Sequence, residues 1–216
     1  MRTGSGPVCH PARMALLPDH IPGGSIELRR WRPTYAADLT DAVASSLPEL
    51  RPWMPWAQET PTVSGMAQVL TEGEASFDAD QEWQFVAAEP GSDRVLGALG
   101  LHRRGPPSCV EIGYWIRTEV TRRGLATAGV GALTTAAFAH LPTIDTVEIR
   151  MDIRNGRSAA IPPRLGYRLI DEVDHPIDSP GLSGRWLVWE MDRADWNVGD
   201  RESADQDGAG PDRAGA

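Results

Sequence analysis

The pattern of hydrophobic and polar positions predicts an alternation of strands and helices. Residues 26–32 alternate as an opening strand, and the next two segments, 34–47 and 63–77, have apolar residues at helical spacing. Residues 83–88 and 94–102 form a predicted hairpin, because a Glu-Pro-Gly-Ser-Asp turn sequence joins them. The second hairpin strand is apolar on both faces, which is typical of a central strand covered on both sides.

A strand, a helix and a strand follow at residues 110–116, 126–140 and 146–152, and a last strand pair is predicted at 167–173 and 185–191. Hairpins pair strands antiparallel, whereas a strand–helix–strand crossover makes its two strands parallel. We therefore expect a mixed α/β fold, in which a central, largely antiparallel sheet contains one parallel pair and is flanked by helices.

Two segments without periodicity bound this core. Residues 1–24 are rich in proline and glycine and are predicted to be irregular, and the acidic residues 194–216 are predicted to be a disordered tail. A single domain is expected between them, at residues 25–193. Within it, Gly65 and Gly73 are expected to interrupt the second predicted helix.

Composition excludes several function classes. A net charge of −9 argues against a nucleic-acid partner, and all 21 basic residues are arginine, which excludes a catalytic lysine or a P-loop lysine. The five histidines show no paired ligand spacing, so no metal is predicted. Cys9 and Cys109 imply no disulfide framework, and no segment has signal-peptide or membrane-spanning character. We expect a cytoplasmic protein that does not bind a membrane.

The strongest local signal lies where the strand at 110–116 ends and the helix at 126–140 begins. The intervening sequence, Thr-Arg-Arg-Gly-Leu-Ala-Thr at residues 121–127, places a glycine turn before a helix N-terminus. Backbone N–H groups there lack intrahelical partners and carry the positive end of the helix dipole. The turn is therefore a candidate anion cradle, although an ordinary solvated basic turn fits these residues equally well.

Three further motifs follow in order: the strand at 146–152, Asn-Gly-Arg-Ser at 155–158 and Leu-Gly-Tyr at 165–167. Together with the turn at 121–127, this series resembles the acyl-CoA-binding core of the GNAT N-acetyltransferase superfamily. The sequences Glu-Ile-Gly-Tyr-Trp and Leu-Arg-Pro-Trp-Met-Pro-Trp more specifically resemble the RimJ/RimL branch. The resemblance covers roughly residues 26–192.

The resemblance implies a GNAT fold that takes acetyl-CoA as a co-substrate. In this family the turn holds the CoA pyrophosphate mainly through main-chain N–H groups. The implied binding residues are Arg122, Arg123, Gly124, Leu125, Ala126 and Thr127. The chain departs from the family pattern at Thr121, where arginine or glutamine is usual, and at Arg122, where glycine is common. Arg122 would be strained if its position requires a positive φ.

The resemblance also implies roles for later residues. A main-chain N–H of Trp115 or Ile116 would polarise the thioester carbonyl. Asn155 would contact the pantetheine arm, and Ser158 would lie near the sulfur, where it could protonate the thiolate. Tyr167 is the alternative acid. Helix capping is an equally good explanation for the asparagine and the serine.

Glu111 is the candidate base that deprotonates the amine, acting through water. Alternation places it on the same strand face as Gly113 and Trp115, and apolar surroundings of this kind raise the pKa of a carboxyl group. A structural acid paired with an arginine is the alternative. Trp53 and Trp56 either line an acceptor pocket or anchor their loop to the core.

The predicted function is direct acetyl transfer to a primary amine, either a protein N-terminal α-amine or a small molecule such as an antibiotic. His175 and the loop at 178–184 are expected to edge the acceptor site. A catalytically inactive CoA-binding regulatory module is the rival, because the chain departs from the family at Thr121, Arg122 and residues 162–163. An unrelated α/β domain with an accidental glycine turn, and the oligomeric state, a homodimer included, also stay open.

Overall fold

The computed structural model describes residues 17–196, which form an eight-stranded sheet with helices on both faces. The strands are β1 (His20–Pro22), β2 (Glu27–Arg30), β3 (Glu82–Ala88), β4 (Val95–His102), β5 (Cys109–Ile116), β6 (Thr146–Asp152), β7 (Arg168–Asp174) and β8 (Arg185–Asp192). The helices are α1 (Ala36–Ala44), α2 (Leu47–Leu50), α3 (Val63–Asp78), α4 (Leu125–His140) and α5 (Gly156–Ala159).

The strand order is β1-β2-β3-β4-β5-β6-β8-β7, and every neighbouring pair is antiparallel except β5 and β6. The predicted mixed sheet is therefore confirmed. The parallel pairing consists of only three residue pairs and ends where Glu111 pairs with Glu148. Beyond that pair both strands continue without pairing to each other, to Ile116 and Asp152. A gap thus opens in the middle of the sheet immediately after Glu111.

The structure differs from the predicted elements in two places. Strand β1 lies within the amino-terminal segment that was predicted to be irregular. Helix α3 is continuous, so the predicted interruption is wrong. Gly65 lies in its first turn and donates its N–H to the hydroxyl of Thr62, which caps the helix. Gly73 makes room for a ring, because a Cβ there would lie 2.5 Å from Cε3 of Trp31. Residues 1–16 and 197–216, which include most of the predicted tails, lie outside the described residues.

The core has two layers, one on each face of the sheet. Helix α4 packs on one face, where Val130 and Leu133 are fully buried, and α1 and α3 cover the other face with Leu39 and Leu70. Strand β4 is buried along nearly its whole length, as predicted for a central strand. Among residues 17–196, no helix is long and apolar enough to cross a membrane.

Candidate active site

A cavity of about 870 Å³ opens on the α1/α3 face of the sheet and reaches the gap between β5 and β6. Tyr114 and Ser158 line it beside the gap, and Trp53 and Trp56 line it from the loop that precedes α3. Glu111 also lines it. A single cavity therefore connects the predicted donor and acceptor sides of the site.

Glu111 lies at the last position where β5 pairs with β6, and it is 8% exposed. Its carboxylate oxygens lie 3.6 Å from Nη1 of Arg104 and 3.8 Å from Nε of Arg150. Both distances are too long for hydrogen bonds, so the arginines act on the carboxylate only as nearby charges. Burial raises the pKa of Glu111, and the positive charges of Arg104 and Arg150 only partly oppose it. The carboxyl group is thus buried and loosely paired, and its pKa lies above its ordinary value.

Sequence reasoning missed two polar side chains that line this cavity, His102 and Gln84. His102 is the partner of Glu111 across β4 and β5, and the His102 ring lies over Gly113, where a Cβ would come within 3.2 Å of Nε2. Gln84 lies over Gly100, where a Cβ would clash with the Gln84 amide oxygen. The signal was present in the sequence, because a glycine inside a strand marks a place where another group approaches the backbone closely.

Tyr114 was also missed as a site residue. Its hydroxyl lies 2.8 Å from Oγ of Ser158 and donates to the Ser158 carbonyl at 3.2 Å. Burial raises the pKa of Tyr114 to about 12, and the hydrogen bond with Ser158 opposes that rise. Asn155 caps α5 by accepting the Ser158 N–H at 3.2 Å, and both residues line the cavity. Asn155 therefore caps the helix while it faces the site, whereas Ser158 supplies only the main-chain N–H that the cap accepts.

Tyr167 does not reach the cavity. It is 4% exposed in the core beneath α4, and its hydroxyl lies 2.7 Å from Oγ1 of Thr134 on that helix. The residue that the structure brings next to Ser158 is Tyr114.

The register of β4 and β5 shows which backbone N–H groups face the gap. Arg117 donates its N–H to the carbonyl of Leu96, and the pairing continues from there without a shift. Alternate residues of an antiparallel strand direct their N–H groups to opposite sides. The N–H of Trp115 therefore points toward β4, whereas those of Tyr114 and Ile116 point toward the gap. Of the two predicted carbonyl-polarising residues, Ile116 has this geometry and Trp115 does not.

The predicted anion cradle comes directly after the carboxyl end of β5. The gap between β5 and β6 is open at this end. Arg122 has a φ of 64° and Gly124, the N-cap of α4, has a φ of 76°. The expected strain at Arg122 is thus present. The N–H of Ala128 donates to the Gly124 carbonyl, so the N–H groups of residues 125–127 precede the first intrahelical bond. The side chains of Arg122 and Arg123 are exposed, and these turn residues do not line the cavity.

Both loops that are predicted to form the acceptor side line the cavity. Trp56 is 53% exposed, and its ring centroid lies 6.2 Å from that of Trp115. His175 and Asp178 line the same cavity from the connection between β7 and β8. Within the described part of the chain, no group of three or more potential ligands could hold a metal ion.

The sequence profile of the acetyltransferase (GNAT) domain matches residues 25–168 of this chain. The chain belongs to the GNAT acetyltransferase family. The GNAT fold and the enzyme class expected from the motifs are confirmed, and solved structures of RimL and RimJ proteins share this fold.

GNAT proteins similar to this chain include one curated relative and two solved structures. YdaF of Bacillus subtilis (strain 168), a provisionally named ribosomal N-acetyltransferase, is 27% identical over 103 residues, which span 47% of this chain and only 56% of YdaF. RimL, a ribosomal L7/L12 alpha-N-protein acetyltransferase solved with coenzyme A, superposes with a TM-score of 0.73 at 16% identity, covering 80% of this chain and 97% of RimL. The microcin C7 self-immunity acetyltransferase MccE, solved with acetyl-CoA and AMP, gives 0.73 at 16% identity, covering 82% and 98%.

Proposed function

We propose that this protein transfers an acetyl group from acetyl-CoA directly to a primary amine, without an acyl-enzyme. The observation that carries the proposal is the position of Glu111, a buried carboxyl group at the point where β5 and β6 separate. The cavity that contains it also contains the Tyr114–Ser158 pair. The complexes of RimL with coenzyme A and of MccE with acetyl-CoA, both of this fold, support acetyl-CoA as the donor.

The backbone of this chain would hold the donor at two places. The N–H groups of residues 125–127 would bind the pyrophosphate, aided by the charges of Arg122 and Arg123. The gap-facing N–H groups of Tyr114 and Ile116 would hold the pantetheine arm and polarise the thioester carbonyl, and one such donor is worth roughly 3–4 kcal/mol. Asn155 would contact the arm from the other side of the gap.

The amine would attack as its free base. As its nitrogen bonds to the thioester carbon, the nitrogen loses a proton to Glu111 through a water molecule, and the carbon–sulfur bond breaks to leave a thiolate. Deprotonating an α-amine of pKa ~8 at pH 7 costs only ~1.4 kcal/mol, whereas a lysine amine of pKa ~10.4 costs ~4.6 kcal/mol. Because the pKa of Glu111 is raised, the difference between the pKa of this base and the pKa of the amine is smaller.

The Tyr114–Ser158 pair would stabilise the departing thiolate. A thiol of the cysteine type has a pKa of roughly 8.5, so full proton transfer from a phenol of pKa about 12 would cost roughly 5 kcal/mol. The pair is therefore better suited to donating a hydrogen bond to the developing thiolate than to giving up its proton. The proton that finally neutralises the sulfur comes from water or from the amine.

The test is thiol release from acetyl-CoA with a panel of primary amines, together with the affinity for CoA. Turnover that is lost in Glu111→Gln, with CoA affinity unchanged, is the expected result. Binding of CoA without turnover on any amine would favour the regulatory module instead. Absence of CoA binding, with no thermal stabilisation at millimolar CoA, would reject the proposal altogether.

A further inference from the structure

The acceptor side of the cavity is unusually rich in tryptophan. Five of the eight tryptophans in the chain line this single cavity, although they come from four separate segments: Trp31, Trp53, Trp56, Trp115 and Trp186. Core packing explains part of this, because Trp31 and Trp115 also contact buried residues of the α1/α3 layer. It does not explain Trp56, which is 53% exposed at the cavity. Exposed aromatic surface inside a concave site is characteristic of ligand binding.

The tryptophan-rich side of the cavity, called the tryptophan wall below, also contains stacked flat side chains. The rings of His175 and Trp186 are nearly parallel, at an interplanar angle of 7° and a centroid distance of 3.6 Å. Trp56 and Trp115 are tilted by 53° at 6.2 Å. These four rings line the cavity from the two acceptor loops and from strands β5 and β8. They provide planar surfaces against which another planar group can stack.

The wall is closed by contacts between the two acceptor loops. The N–H of Gly181 donates to the carbonyl of Pro52 at 2.9 Å, and a Cβ on Gly181 would lie 2.6 Å from that oxygen. The same β7–β8 connection is tied to the end of β6, where the N–H and hydroxyl of Ser183 both donate to Asp152. An extended peptide chain needs an open groove, whereas these contacts join the loops across one side of the site.

The charges of the wall suit an amine. Carboxylates outnumber guanidinium groups in the cavity lining, which contains Glu59, Glu111, Asp152 and Asp178 against Arg104 and Arg150. An ammonium group is attracted both by carboxylates and by the faces of indole rings. The cavity has a volume of about 870 Å³ in total, which is in the range of small-molecule sites and which the acceptor would share with the acetyl-bearing end of the donor.

We infer that the acceptor is a small primary amine carried on a planar aromatic group, not the amino terminus of a protein. This inference rests on the proposed function. The aromatic group lies against the tryptophan wall and the amine is directed toward Glu111.

A matched set of acceptors tests it. 2-Phenylethylamine and 2-cyclohexylethylamine have the same chain length and ring size, but only the first has an aromatic face and the second is the more hydrophobic. We expect kcat/KM, corrected for the fraction of free amine, to be at least fivefold higher for the aromatic amine. A serine-headed hexapeptide should be at least tenfold poorer than the aromatic amine. Equal rates for the two small amines, or preference for the peptide, would overturn the inference.

A variant locates the effect. Trp56→Leu should raise KM for 2-phenylethylamine at least fivefold, while it leaves KM for the cyclohexyl compound and the affinity for CoA within twofold. Leu169→Ala is the control, because Leu169 is exposed to a similar degree, 51%, but lies outside the cavity lining. An equal loss for both amines in Trp56→Leu would assign that residue a general packing role and contradict aromatic recognition.

A measurement of amine binding that does not depend on acetyl transfer distinguishes this inference from the proposed function. With five tryptophans at the site, 2-phenylethylamine should quench the intrinsic fluorescence of the CoA-bound protein saturably, and 2-cyclohexylethylamine should quench it less. Saturable binding without turnover of any amine would reject the acetyltransferase proposal and retain the aromatic site. Turnover of the peptide alone, with no quenching by the aromatic amine, would retain the acetyltransferase and reject this acceptor.

Discussion

The hydroxyl of Tyr114 lies 2.8 Å from Oγ of Ser158, although the two residues are 44 positions apart in the chain. Tyr114 belongs to β5 and Ser158 to α5, which follows β6, so this contact bridges the two strands that have separated. A pair of hydroxyl groups is thereby fixed at one wall of the gap. The capping bond from Asn155 holds the serine in place on that wall.

Replacing Tyr114 by phenylalanine should therefore slow the chemical step. A hydrogen bond to a charged group is worth about 1.5–3 kcal/mol, so kcat should fall roughly 10- to 100-fold while CoA affinity stays within about twofold. Ser158→Ala should lower kcat by a similar factor, because the serine hydroxyl is the other member of the pair. Steady-state kinetics and CoA titration measure both effects.

Tyr167→Phe is the matched control for Tyr114→Phe. It removes a hydroxyl that is bonded to Thr134 in the core, so it should lower the free energy of unfolding by about 1 kcal/mol and leave kcat unchanged. A fall in kcat in Tyr167→Phe, with normal turnover in Tyr114→Phe, would reverse the two assignments.

The ionisation of Glu111 should change the slope of log(kcat/KM) against pH. A base works only when ionised, and burial raises the pKa of Glu111 above its ordinary value of 4.5. Below the pKa of the amine, log(kcat/KM) should rise by about one per pH unit, because only the free amine reacts. As the pH falls through the raised pKa of Glu111, the slope should increase to about two.

Glu111→Gln should lose roughly 100-fold or more in kcat/KM near neutrality and keep a slope of one throughout. Glu59→Gln is the charge control: it removes another carboxylate from the cavity lining and should keep the steeper acid limb. A slope of two that persists in Glu111→Gln would mean that a different group is the base.

The features that the sequence predicted well are those set by patterns of neighbouring residues. The strand–helix–strand crossover and its turn were found because apolar periodicity and capping residues act over a few positions. Alternation also predicted that Glu111 shares a strand face with Gly113 and Trp115, and all three line the cavity. By contrast, the Tyr114–Ser158 contact joins distant segments, so no local pattern could reveal it. The choice between Trp115 and Ile116 as amide donors depends on strand register, which hydrophobic patterning leaves undetermined.

Arg122 offers a test of backbone strain at the proposed pyrophosphate site. Its φ of 64° costs an L-residue roughly 1–2 kcal/mol, whereas glycine adopts it freely but loses more entropy on folding. Arg122→Gly should therefore stabilise the fold by up to about 1 kcal/mol, and Arg122→Ala should not. Thermal unfolding measures the difference.

Both Arg122 variants lack the guanidinium group, so both should weaken CoA binding by a similar factor, about three- to tenfold. Arg164→Ala removes an exposed arginine from a different turn and should not change CoA affinity. If Arg122→Gly alone bound CoA normally, the turn would act through its backbone geometry and the charge at that position would be dispensable.

Gly97 controls how closely β4 approaches β5 at the wide end of the gap. A Cβ on Gly97 would clash with the carbonyl oxygen of Trp115 and would lie 2.9 Å from Cα of Ile116, and both contacts are with backbone that cannot rotate away. Gly97→Ala should therefore destabilise the fold by roughly 3 kcal/mol or more, measured by urea unfolding. Gly105→Ala is the control, since its nearest neighbour would be 3.9 Å away. Because Ile116 supplies a gap-facing N–H, a Gly97→Ala protein that still folds should also bind CoA more weakly. Unchanged stability would show that β5 can shift freely, and a rigid donor at Ile116 would then be untenable.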